Sequence, residues 1–181
     1  MSFSVRALVL RARAAPADQF AARLGPLVLL GPPTGSDEEG ASGWRYLTEK
    51  GDTPLSNNPL GQLLEAHVYP LRKRSGAGAF GSVVLVGRAE SNDVCLQHPS
   101  VSKLHARVET LDTGGLWLRD AQSRNGTYYD EHALAVDERV RVEVNHRIRF
   151  GDVSMSILDP LRLHGMLARL RMGVDPEDGP T

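Results

Sequence analysis

Short apolar stretches recur through the second half of the chain, each closed by turn-forming residues. Residues 67–71, 82–86 and 94–96 read as strands. Leu104, Ala106 and Val108 then alternate with His105, Arg107 and Glu109, which gives one apolar and one polar face. After a hairpin-like turn at 112–115, Leu116 and Leu118 resume the inward register. Val140, Val142, Ile148 and Phe150 supply two more strands around a turn at Asn145 and His146. Gly151 and Asp152 turn the chain again before Val153, Met155 and Ile157. Strands of this length at this spacing predict an all-β sandwich or barrel. No stretch between His67 and Leu158 has helical periodicity, which argues against an α/β enzyme fold.

The flanks differ in texture. Residues 2–10 read as a strand, Pro16 opens a short helix to Leu24, and residues 26–30 are apolar and extended. Residues 31–39 and 51–61 have the composition of loops or linkers. Residues 1–65 are thus an N-terminal extension, either a small unit or a wrap around the next domain, and residues 66–158 are the sandwich. Asp159 and Pro160 open a C-terminal helix over 159–173. Leu163, Met166, Leu167 and Leu170 share one side of it, a stripe that packs on the sandwich or on a partner, while residues 174–181 read as a frayed tail.

Composition narrows the class. The chain has 181 residues, 41% hydrophobic and 24% charged, with a formal charge of -1. That balance gives no support to a nucleic-acid partner. The single cysteine, Cys95, cannot form an internal disulfide, reads as a buried small hydrophobe, and points to a cytoplasmic location. Arg6, Arg11 and Arg13 precede the first acid, but the apolar run at 7–10 is too short for a signal core, and no membrane span is present.

Several familiar patterns fail in context. Gly76, Gly78, Gly81 and Val83 match a phosphate-loop spacing, yet a β run follows them where a nucleotide site needs a helix. Ser100 and Lys103 match S-x-x-K without its partner motifs. The histidines and Cys95 are spaced unlike a metal site, and no nucleophile–base pair stands out, so neither metal, cofactor nor catalysis is expected. Arg72, Lys73 and Arg74 read as a solvated strand end.

Three short signals at turns of the β region remain. Gly87 and Arg88 lead into Ala89, Glu90, Ser91, Asn92 and Asp93. The run from Val101 through Ser102, Lys103, Leu104 and His105 follows, and Asp120, Ala121, Gln122, Ser123, Arg124, Asn125, Gly126 and Thr127 close the set. Each is weak alone, since Asn-Gly is merely a turn signal. In this order, between β runs, they resemble the forkhead-associated (FHA) domain family, a β-sandwich module that binds phosphothreonine peptides.

The resemblance spans roughly residues 66–158 and implies an FHA-like (SMAD/FHA) sandwich of two antiparallel sheets. By that likeness Arg88 grips the phosphate, Ser102 contacts it with Lys103 assisting, Asn125 clamps the peptide backbone, and Arg124 lines the same groove. His105 is chiefly structural, and Gly87, Asp93, Ser123 and Gly126 are scaffold. The chain departs from the family at Asp130 and Glu131, where another Asn-Gly turn is common, and at Asn145 and His146, where Gly-Asp is common.

The chemistry agrees with those roles. Phosphothreonine carries nearly two negative charges and three acceptor oxygens. A guanidinium can hold two of the oxygens, lysine adds a point charge, and a serine hydroxyl adds one directed donor. The expected partner is a phosphothreonine-containing protein or peptide, with a Ser/Thr kinase or its substrate as candidates. The competing expectation is a phosphate-independent structural or assembly module, with residues 1–65 and the closing helix as its interface.

Overall fold

The computed structural model describes residues 2–33, 59–74, 83–110 and 115–170. The glycine run at 76–81, the tail at 174–181, and most of the 112–115 turn and of both linker stretches lie outside the described residues. In chain order the first elements are β1 (Phe3–Ser4), α1 (Val5–Ala14), α2 (Ala17–Leu24), β2 (Val28–Gly31), α3 (Pro59–Glu65) and β3 (His67–Pro70). Next come β4 (Val83–Gly87), β5 (Val94–Cys95), β6 (Ala106–Thr110), β7 (Leu116–Asp120), β8 (Thr127–Tyr129) and β9 (His132–Ala133). The chain continues through β10 (Val140–Arg141), β11 (Arg147–Phe150), β12 (Val153–Leu158) and α4 (Pro160–Arg169).

These strands form two sheets, ordered β1-β3-β2-β12-β11-β8-β9 and β10-β7-β6-β4-β5. Every pairing is antiparallel except that of β4 with β5. From Ala106 onward the alternation read from the sequence is the packing register: Ala106, Val108, Leu116 and Leu118, with Val84 and Val86 of β4, meet Ile148, Phe150, Val153, Met155 and Ile157 in one core between the sheets. Before β6 begins the expected faces are not kept, since Leu104 is only partly buried and His105 is fully buried.

A second core lies on the far side of the seven-stranded sheet. There Val5, Leu8 and Val9 of α1, Phe20 and Leu24 of α2, and Leu163 and Leu167 of α4 cover Val28, Leu30 and Val68. β2 therefore buries both faces, with Leu29 in the sandwich core and Val28 and Leu30 under the helices. Because β2 sits between β3 and β12, the sheet itself crosses the boundary that the sequence suggested at residue 65.

The chain start differs from expectation. Only Phe3–Ser4 is a strand, and Val5–Ala14 is helical, with Ser4 accepting a hydrogen bond from the Ala7 N–H at 3.3 Å as its N-cap. Val5, Leu8, Val9 and Ala12 are buried at helical spacing, a stripe hidden in sequence by the unbroken apolar run at 7–10. At the other end, Asp159 caps α4, Leu163 and Leu167 are buried, and Met166 is exposed, off the packed stripe. Cys95 is only half-buried; burial raises its thiol pKa, and the thiol faces the Arg88 carbonyl. Asp130 and Asn145 take left-handed φ values of 51° and 68°, a conformation Asp and Asn tolerate, so both turns close without the family's glycines.

Candidate functional site

Three loops meet at one end of the sandwich, and backbone contacts stitch them together. Arg88 N–H donates to the Ser102 carbonyl at 2.9 Å, and Ala89 N–H to that of Lys103 at 3.1 Å. The buried Asn92 amide adds bonds to the Ala89 and Lys103 carbonyls at 2.9 and 2.6 Å. Gly87 is required here, since a Cβ would lie 2.4 Å from the Lys103 oxygen.

His105 joins the second and third loops. Its ring is fully buried, Nδ1 accepts from the Ser102 N–H at 3.0 Å, and Nε2 lies 3.0 Å from the Gly126 carbonyl. An accepting Nδ1 leaves the proton on Nε2, which donates to Gly126. Burial, opposed by the Gly126 carbonyl and the Asp120 charge, lowers the pKa of this ring and favours the neutral form.

Asp120 organises the third loop. It accepts from the Ser123 N–H and hydroxyl at 2.9 and 2.7 Å and from the Thr127 hydroxyl at 2.5 Å. Burial alone would raise its pKa, but those bonds hold the carboxyl below its ordinary value. Ser100 ties this end to the β11–β12 turn: its hydroxyl accepts from Asp152 N–H at 2.9 Å, and its carbonyl accepts from Asn125 Nδ2 at 2.7 Å.

The result is a cup of about 220 Å³ lined by Arg88, Ser102, Lys103, Arg124 and Asn125 together with residues 99–101. All five expected contact residues thus share one concavity. Arg88 Nε donates to the Val101 carbonyl at 3.2 Å, which holds the guanidinium against the loop. Its terminal nitrogens and the Lys103 ammonium have no hydrogen-bond partner among the described residues. Arg124 contributes its backbone N–H to the Ser102 hydroxyl oxygen at 3.0 Å, while its side chain is exposed. Three cations and no carboxylate line the cup, an arrangement suited to a compact dianion. Asn125 is partly committed to the loop through Ser100, which leaves its carbonyl oxygen and second amide proton for a ligand.

The scaffold holds residues that sequence reasoning missed or misplaced. Lys73 and Arg74 are not a solvated strand end. Lys73 Nζ reaches the buried Asp93 carboxylate at 3.0 Å, Arg74 N–H donates to the same group at 2.9 Å, and Leu85 N–H does so at 2.9 Å. Burial would raise the Asp93 pKa, yet these bonds hold it below the usual carboxylate value. Ser100 has no local signal, because its partners Asn125 and Asp152 are distant in sequence, and the Asn92 bond to Lys103 likewise crosses between loops. Asp120 bonds within its own loop, to Ser123 and Thr127, a local pattern of short polar side chains that could have marked it. Among the described residues no three metal-ligating side chains cluster, and no helix is long and apolar enough to cross a membrane.

Residues 84–151 match the family model of the FHA domain. Human kanadaptin is 36% identical over 80 residues, a stretch that covers 39% of this chain and 11% of kanadaptin, so the chain spans a small part of that relative. The solved FHA domain of an Arabidopsis thaliana hypothetical protein is 28% identical, with 43% of this chain and 67% of that one covered and a TM-score of 0.40. An FHA structure described for phosphothreonine-dependent interactions is 18% identical, with 72% and 94% covered and a TM-score of 0.43.

Proposed function

Residues 84–151 belong to the FHA-domain family, a binding module and not an enzyme, and from that premise we propose that this chain is a phosphothreonine-peptide-binding adaptor in Ser/Thr kinase signalling. The observation that carries the reading is the cup itself. Arg88, Lys103 and Arg124 surround a serine hydroxyl within about 220 Å³. A phosphate dianion seated there takes two-point hydrogen bonding from Arg88, a point charge from Lys103 and a directed donor from Ser102. The loops are held by His105, Asn92 and Asp120, so little ordering is needed when a ligand arrives. Asn125 Oδ1 and its free amide proton suit the backbone of an extended peptide.

The partner is a protein phosphorylated on threonine, with a Ser/Thr kinase or its substrate as candidates. Calorimetry with one peptide in phosphothreonine, phosphoserine and unmodified forms tests this. The phosphothreonine form should bind tightest and the unmodified form should not bind measurably; equal affinity for all three overturns the reading. The competing assembly-module reading is weakened by the helices, because α1 and α4 direct their apolar stripes into the second core of the same chain.

A further inference from the structure

Arg88 separates the cup from a second, more open concavity of about 500 Å³, lined by Arg88, Ala89, Glu90, Gln97, His98 and Pro99. The two share Arg88 and Pro99. An extended peptide advances roughly 3.3 Å per residue, so a side chain within a few residues of a phosphothreonine in the cup reaches this cleft.

Its charge is unlike that of the cup. Glu90 is the one acid among the lining residues; it is exposed, and its backbone is held by Arg74, whose guanidinium donates to the Glu90 carbonyl at 2.9 Å. The carboxylate accepts from Gln97 Nε2 at 3.4 Å and has no cation within ion-pair distance among the described residues. His98 is no competitor through Nδ1, which faces the Ser100 N–H at 3.2 Å and the Ser100 hydroxyl at 2.8 Å. An uncompensated carboxylate beside a site for a dianion repels the ligand, unless the ligand brings a positive charge to it.

We propose that this cleft is a specificity subsite that takes an Arg or Lys side chain flanking the phosphothreonine and pairs it with Glu90. Arg fits better than Lys, because its planar fork can engage the carboxylate and the Gln97 amide oxygen together. The inference rests on the phosphopeptide reading above and names a sequence preference within it.

The test uses the full chain and phosphothreonine peptides carrying Ala, Lys, Arg or Glu at each of the three positions on either side of the phosphothreonine. The readout is the affinity ratio of each peptide to its all-Ala parent, measured in wild type, Glu90→Gln and Glu90→Lys. Arg at one position should improve wild-type binding roughly threefold to fivefold, the scale of a partly exposed ion pair. Glu there should weaken it, Glu90→Gln should abolish the ratio, and Glu90→Lys should invert it. A wild type that discriminates phosphorylated from unmodified all-Ala peptide yet shows no basic preference overturns the subsite alone. A basic preference that survives in Glu90→Gln does the same. Failure of that phospho-discrimination instead overturns the function reading, and the subsite with it.

Discussion

The backbone N–H of Arg124 donates to the Ser102 hydroxyl oxygen at 3.0 Å, across the two loops that form the cup. With one lone pair of that oxygen occupied, the hydroxyl proton turns away from the amide and toward the ligand space. The third loop therefore orients the donor of the second. Ser102→Ala removes this donor and leaves the Arg124 amide without its partner. Phosphopeptide affinity should fall by about 1.5–3 kcal/mol, the worth of a hydrogen bond to a charged group. Thermal stability should change little, because the loop is half-exposed and keeps its His105 contact. Calorimetry paired with a thermal melt checks both parts.

Arg88 acts through position as well as charge. Its Nε is fixed on the Val101 carbonyl, so the terminal nitrogens face outward in a set orientation. Arg88→Ala should cost phosphopeptide binding more than about 1.5 kcal/mol. Arg88→Lys should recover only part of that, since lysine keeps the charge but lacks both the anchoring Nε and the two-point geometry. A lysine variant with wild-type affinity in a binding titration would show that charge alone suffices.

The sandwich was readable because its inward positions alternate within single strands, as Ala106 and Val108 do, and each strand states its own register. The residues of the cup were legible only through the family resemblance, which Arg88, Ser102 and Asn125 carry by sitting in three short turn motifs in a set order along the chain. What escaped depends on contacts between distant segments. The Lys73–Asp93 pair and the seat of Val28–Gly31 inside the sheet have no local pattern that announces them. α1 escaped for another reason, because four consecutive apolar residues satisfy a strand period and a helical period equally well. The second role of Asn125, holding the Ser100 carbonyl, is likewise invisible without the fold.

Two glycines should respond in opposite ways to alanine. At Gly87 an added Cβ meets the Lys103 oxygen at 2.4 Å, the Asn92 amide nitrogen at 2.9 Å and the His105 nitrogen at 3.0 Å, all in the frame behind the cup. Gly87→Ala should destabilise the fold by about 2–3 kcal/mol and weaken phosphopeptide binding by shifting the 99–105 loop. Gly165 lies inside α4 with nothing within 4 Å of the new atom, and Gly165→Ala should stabilise by up to about 1 kcal/mol through helix propensity. Chemical denaturation of both variants beside wild type measures the contrast.

The buried His105 ring makes stability depend on pH in a window separate from the carboxylates. Burial holds its folded pKa below the ordinary value, so the unfolded chain takes up the proton first as pH falls. Its contribution is therefore complete above about pH 6.5, the ordinary histidine value, and is lost as pH drops from there through the folded value. Protonation puts a second N–H on the ring at Nδ1, where the Ser102 amide already donates. Asp93 and Asp120, also held low, act with the same sign, but only in the acidic range below about pH 4. His67, lowered by burial against the opposing charge of Glu65, acts with the same sign in the histidine window. Without ligand, whose own phosphate titrates near pH 6, the melting temperature of wild type should fall between pH 7.5 and 5.5. His105→Asn should melt lower at pH 7.5 and show a shallower slope than wild type. An unchanged slope in the variant would assign the pH dependence to other groups.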